Sequence, residues 1–196
     1  VLPPKDSQDV QRLKTDRNGL RDELVRRLKE SGEKVTPAIV ERKLAALERA
    51  TTCLETMDSV EAAGGKAYYL ECDVLDSGSV QAAVDAVLQA EGRVDVLVHA
   101  AGVEHSRRLE NKPLEEFVGT IAVKATGFYH LFHSLAEKGA LPKAVVAFSS
   151  VAGRFGNAGQ TDYAAANDLL CKMVSAIRNQ YPEMKAIALD WGAWAD

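Results

Sequence analysis

Ser150, Tyr163 and Asn167 stand in that order within one run of the sequence, with Lys124 upstream. The serine follows an apolar stretch, 144–148, that reads as a buried strand, and Asn167 lies one helical turn beyond Tyr163. Reducing a ketone with a nicotinamide cofactor requires a hydride at the carbonyl carbon and a proton at its oxygen. A free tyrosine has a pKa of about 10 and holds its proton too tightly for easy shuttling near pH 7. A neighbouring ammonium favours the phenolate and brings that value toward working pH. The set therefore points to carbonyl reduction. Tyr163 is the proton donor and Lys124 the charge that tunes it. Ser150 holds the substrate oxygen and stabilises developing negative charge. Asn167 is placed to hold a water or the lysine. Taken singly, each has an ordinary reading: a packing tyrosine, a solvated lysine, serines capping a strand, a surface asparagine. Their joint order and setting favour function.

The elements that must position these residues are legible from residue 67 onward, where strand and helix patterns alternate. Strands are predicted at 67–72, 94–99, 144–148 and 186–190, and helices at 79–90, 113–117, 119–136 and 161–179. Apolar strands separated by helices imply an α/β fold, a Rossmann-like parallel sheet with helices on both faces. Ligands in such sheets lie at the carboxyl ends of the strands. Asp73, Ala100–Gly102, Ser149–Ser150 and Trp191–Gly192 all fall at predicted strand ends, so separate segments aim at one edge.

The first 65 residues differ in character, being rich in charge of both signs and without a clear strand. Leu20, Leu24 and Leu28 recur every four residues and Ser31-Gly32 follows, which predicts a helix over 18–31. Thr36-Pro37 reads as an N-cap with proline at the first helical position. Val40, Leu44, Leu47, Leu54 and Met57 then mark a helical stripe closing at Gly64-Gly65. The expected division is a charged helical lead-in or insertion over 1–65 and the catalytic portion over 66–196. Partner binding by the lead-in helices is the alternative to a simply solvated face.

At 196 residues, 46% hydrophobic and 27% charged, the chain has the composition of a soluble globular protein. Its net charge of −4 argues against a sequence-blind nucleic-acid binder, and no apolar run is long enough for a membrane span. No signal-peptide pattern stands at the start. The cysteines, Cys53, Cys72 and Cys171, are widely spaced and odd in number, which suits a reducing cytoplasm better than a disulfide framework or a zinc site. His130 and His133 sit three apart, but no third ligand stands nearby to make a metal site.

Phe148-Ser149-Ser150-Val151-Ala152-Gly153, Gly156-Asn157-Ala158-Gly159-Gln160 and Tyr163-Ala164-Ala165-Ala166-Asn167 together resemble the ketoreductase domain of modular polyketide synthases, within the short-chain dehydrogenase/reductase superfamily. His99-Ala100-Ala101-Gly102-Val103 is similar to the family's strand-end motif beside the cofactor, and Cys72-Asp73-Val74 to its adenine-contacting Asp-Val. Val123-Lys124-Ala125-Thr126-Gly127 resembles the helix bearing the active lysine, and Trp191-Gly192-Ala193-Trp194 the final strand motif. The charged helices before Gly64 are more similar to iterative and polyunsaturated-fatty-acid-type synthases. The resemblance implies Ser150, Tyr163, Lys124 and Asn167 as catalytic. It implies Asp73, Val74, Ala100, Ala101 and Gly102 as lining the cofactor. The implied reaction is NADPH-dependent reduction of a β-ketoacyl chain on the phosphopantetheine arm of an acyl carrier protein, alongside other synthase domains.

The sequence departs from the family at several points. No G-x-G-x-x-G phosphate-binding turn stands in it, and Gly153-x-x-Gly156-x-x-Gly159 precedes Tyr163, where it reads as the loop beneath the substrate. The arginine that selects NADPH over NADH has no identifiable counterpart. Ala193 stands where the family commonly has proline. The expectation is a piece of a larger protein lacking the N-terminal strands, which by itself neither binds NADPH tightly nor turns over. Val103-Glu104-His105-Ser106 lacks the Leu-Asp-Asp of one stereochemical class, and Phe155 stands where the other shows tryptophan, so product handedness stays open. Two other readings compete: a non-catalytic docking part of a synthase, and a free-standing dehydrogenase acting on a small alcohol. The retained Lys-Ser-Tyr-Asn set weighs against the first, and the charged helices with the lysine–asparagine arrangement against the second.

Overall fold

A computed structural model describes residues 2–192, which form two compact units divided between Leu70 and Glu71. The expectation at Ala193-Trp194 lies outside the described residues.

The first unit is helical: α1 (Gln8–Thr15), α2 (Arg17–Glu30) and α3 (Pro37–Ala62). Asp16 caps α2 by accepting from the Gly19 amide, and Thr36 caps α3 by accepting from Ile39, with Pro37 in the first turn as expected. Leu20, Leu28, Val40 and Leu44 form its buried centre, joined by Leu13 from α1 and Leu24 from α2. The sequence pattern shows no helix before residue 18, yet Gln8–Thr15 is one. Its two turns carry only Val10 and Leu13 as large apolar residues, too few to reveal a period. It is held by burying Val10 and by the Arg27–Asp9 ion pair at 2.8 Å.

The second unit carries α4 (Ser77–Glu91), β1 (Val96–His99), a 3-10 turn (Leu109–Asn111), α5 (Leu114–Ile121), a π turn (Ala122–Thr126) and α6 (Gly127–Glu137). After these come β2 (Ala144–Ser150), α7 (Ala152–Phe155), α8 (Thr161–Gln180) and β3 (Lys185–Trp191). The three strands are parallel in the order β1-β2-β3, with Val98 opposite Val146, Val146 opposite Ile187 and Ser150 opposite Trp191. This is the expected Rossmann-like α/β arrangement. Successive strand side chains point to opposite faces. Leu97, Val145 and Ala147 lie on one face, in a core with Val80 and Val84 of α4, Phe128 and Leu135 of α6, and Leu170, Val174 and Ile177 of α8. Val96, Val98 and Ile187, of the opposite parity, stay exposed.

One predicted strand is corrected. Residues 67–72 carry no regular secondary structure and belong to no sheet, and Tyr68, Tyr69 and Leu70 are exposed. A strand exists by its ladder, and no described strand lies beside this segment to complete one. The helices at 113–117 and 119–136 are resolved as α5 and α6, joined through the π turn rather than a break.

Candidate active site

Because the strands are parallel, their carboxyl ends share one edge. There β1 runs into Ala100–Gly102, β2 ends in Ser149-Ser150, and β3 ends in Trp191 before Gly192. These ends open a cleft of about 870 Å³ whose lining includes Ala100, Gly102, Lys124, Ser150, Tyr163 and Trp191. Residues separated by most of the second unit's length are thus brought to one place by strand direction alone.

Lys124 sits in the π turn, 4% exposed, and its Nζ donates to the Phe148 carbonyl at 2.8 Å. The same nitrogen stands 5.7 Å from the centre of the Tyr163 ring. Burial pushes the Lys124 pKa below the ordinary lysine value. Gly102 packs against its stem: a Cβ there would stand 2.9 Å from Lys124 Cε and would push the end of the lysine aside. Ser150 Oγ accepts from the Ala152 amide at 3.2 Å, which fixes the turn from β2 into α7 and leaves its hydroxyl hydrogen for another acceptor.

Tyr163 is half-buried in the first turn of α8. Asn167, one turn on, is fully buried, and its Nδ2 donates to the Tyr163 carbonyl at 2.7 Å. Its Oδ1 is buried without a partner, an acceptor of the kind that a water or an ammonium would satisfy. Close packing sets the loop ahead of α8. A Cβ on Gly153 would come within 3.0 Å of the Asn167 Cβ, so α7 approaches α8 only through glycine.

The expected cofactor residues divide. Ala100 and Gly102 line the cleft, and Ala101 lies half-buried in the same turn. Asp73 and Val74 do not line it. Asp73 is exposed, its Oδ1 accepts from Leu75, and its amide donates to Ser79 Oγ, so it shapes the turn into α4. Val74 packs against Gly127, and its carbonyl is hydrogen-bonded to His130 Nδ1 at 2.9 Å. The turn at Ala100–Gly102 is built of small residues and stands beside the Lys124 side chain. The described residues offer no glycine-rich strand-to-helix turn for a pyrophosphate.

Several contacts around the site had no sequence signal. Lys112 and Asp162 form an ion pair whose side chains are 1% and 0% exposed, tying the loop before α5 to the residue next to Tyr163. Burial opposes Asp162 ionisation. The bond from Lys112, with those from Thr120 and the Tyr163 amide, nonetheless holds its carboxyl below the usual aspartate value. Arg154 pairs with Asp190 across the strand ends at 2.8 Å. His99 is buried beneath the cleft with Nε2 3.0 Å from the Lys124 carbonyl. Fifty residues separate Lys112 from Asp162, and no periodicity couples positions so far apart. His133 pairs with Glu137 and stacks on Tyr129, and among the described residues no His, Cys, Asp and Glu group could hold a metal. No helix among them is long and apolar enough to cross a membrane.

A parallel sheet with a lysine, a serine and a tyrosine at its carboxyl edge defines the short-chain dehydrogenase class, and the structural comparisons agree. The fold matches a short-chain dehydrogenase from Mycobacterium smegmatis at a TM-score of 0.65 and 23% identity, over 72% of this chain and 61% of that one. It matches a ketoreductase domain from the bacillaene assembly line at 0.62 and 27% identity, over 82% and 36%. The KR-domain profile matches residues 18–196, and the chain belongs to that family, the ketoreductase domains of polyketide and polyunsaturated-fatty-acid synthases. It is 37% identical over 164 residues to a polyunsaturated fatty acid synthase polypeptide of Thraustochytrium sp., covering 83% of this chain and 6% of that protein. It is 38% identical over 139 residues to the polyketide synthase GfsB of Streptomyces halstedii, covering 71% and 2%. The chain thus spans a few per cent of the length of these relatives.

Proposed function

We propose that this chain is the reaction portion of a ketoreductase that converts a β-ketoacyl group, carried on the phosphopantetheine arm of an acyl carrier protein, to the β-hydroxyacyl form. The observation that carries the reading is the placement of Lys124, Ser150 and Tyr163 on one cleft at the carboxyl edge of the sheet. Ala100, Ala101 and Gly102 would hold NADPH, which would supply the hydride. Ser150 donates its hydroxyl hydrogen to the ketone oxygen and orients it. Tyr163 delivers the proton to that oxygen as negative charge develops there. Lys124, its ammonium near the Tyr163 ring, favours the phenolate that the transfer leaves behind. Asn167 holds the Tyr163 backbone in place, with its buried Oδ1 available to a relay water.

The test is Tyr163→Phe in the full-length polypeptide. Reduction should be lost while NADPH binding, followed by cofactor fluorescence, is retained. Undiminished reduction would show that the proton comes from elsewhere.

A further inference from the structure

The active lysine lies in an irregular stretch of helix, and something must hold that irregularity in one register. Between α5 and α6 the Gly127 amide bonds back to the Ala122 carbonyl, five residues earlier, in place of the usual four. Such a π turn accommodates one extra residue and is intrinsically less favourable than continuous α-helix. Its survival requires outside partners for the carbonyls it displaces. The Lys124 carbonyl lies within this turn. Here it lies 3.0 Å from Nε2 of His99, the last residue of β1.

His99 is 1% exposed and rests against the Phe128 ring, 5.5 Å between centroids. A carbonyl can only accept, so Nε2 must carry the hydrogen. Nδ1 is then the bare nitrogen, and it is indeed buried without a partner. Burial foremost, with the nearby Lys124 charge, depresses the His99 pKa to about 4, so the ring is neutral and keeps this tautomer at working pH. The sheet thus grips the peptide of the very residue whose ammonium reaches the Phe148 carbonyl and the Tyr163 ring.

We infer that His99 is a positioning residue for the reaction: as the neutral Nε2–H tautomer it holds the π turn through the Lys124 carbonyl and so sets where the Lys124 ammonium stands relative to Tyr163. The inference rests on the proposed role of Lys124, but the bond itself can be read without activity. A shift of an ångström in a charge at the reacting centre is enough to cost about 10²-fold in rate.

Two measurements test it. In the full-length protein, nitrogen-15 histidine spectra should show the His99 proton on Nε2 across neutral pH. A proton on Nδ1 would overturn the inference, since that tautomer cannot donate to Lys124. In kinetics, His99→Met, which keeps bulk and loses the donor, should lower kcat by about 10²-fold and move the pH–rate profile to higher pH, because a displaced ammonium favours the phenolate less. His99→Gln, whose amide can reach the Nε2 position, should restore most of both. A folded His99→Met protein with unchanged kcat and pH profile would overturn the inference, as would His99→Gln behaving no better than His99→Met. Reduction surviving in Tyr163→Phe would sink the proton-donor reading while leaving the tautomer result standing, so the two failures are distinguishable.

Discussion

The two units of this chain use charge in opposite ways. In the first, ionic side chains stand in water: Arg17 reaches Glu48, Arg21 reaches Glu41, and Arg26 and Arg27 share Glu23, all between largely exposed partners except the partly covered Glu23. Such pairs gain little, because water screens them and two long side chains lose freedom. The unit is held instead by its leucine and valine centre. In the second unit the charges that matter are out of water. Lys124, Lys112 and Asp162 are buried, and His99 is kept neutral by burial. Desolvation makes each of these costly when left alone and strong when matched, which is what proton transfer needs. The same residue types stand in water in one unit and are buried in the other.

The largest effect that could break this contrast is at Tyr163. Tyr163→Phe should lower the rate of ketone reduction by about 10²–10⁴-fold, the usual share of a positioned acid, with thermal stability unchanged. Next, Lys112→Met leaves Asp162 buried and unpaired and should cost about 3–5 kcal/mol in a denaturant titration. The double variant Lys112→Met/Asp162→Asn should recover much of it. If the single variant were harmless, the buried pair would be no different from a surface one.

In the first unit the corresponding blow is apolar: Leu20→Ala should cost about 2–5 kcal/mol by emptying its centre. Arg21→Ala, which removes an exposed pair, should leave the thermal midpoint within error and be insensitive to added salt.

A smaller and more gradual effect comes from pH. The folded His99 value of about 4 lies below the ordinary 6.5, so the unfolded chain binds the proton first as pH falls. Stability should therefore be full above 6.5 and decline between 6.5 and about 4, by up to about 3 kcal/mol from this residue. His99→Gln should flatten that slope in melting curves taken across the range. Asp162 adds a lower window: its depressed value contributes stability above 3.8 that is lost as pH falls further. Glu23, drawn down to about 2 by Arg26 and Arg27, is only partly covered and its partners are exposed, so salt should weaken its contribution.

Much of this was legible without coordinates. The capped helices at Arg17–Glu30 and Pro37–Ala62, and the strands at Val96–His99, Ala144–Ser150 and Lys185–Trp191, follow from local pattern, because a helix or a buried strand writes its period into neighbouring residues. That Ser150, Tyr163 and Lys124 share one cleft was legible for a related reason: they sit at or near the ends of those elements. What failed was whatever depends on a neighbour distant in sequence. Residues 67–72 have the composition of a strand but no ladder partner among the described residues. The first helix has too few apolar positions to announce itself. Nor does any sequence pattern state the contacts of Asp73, which shapes the approach to α4, or of Val74, which packs on α6.

By itself, then, the sequence determined the order of most elements and the strand edge at which Lys124, Ser150 and Tyr163 gather. Local propensity and the direction of parallel strands are sufficient for that. Only the tertiary structure decided which charges lose their water, that Lys112 meets Asp162, and that His99 reaches into the π turn to hold Lys124. Burial and long-range pairing are properties of the packed chain, and no stretch of residues carries them alone.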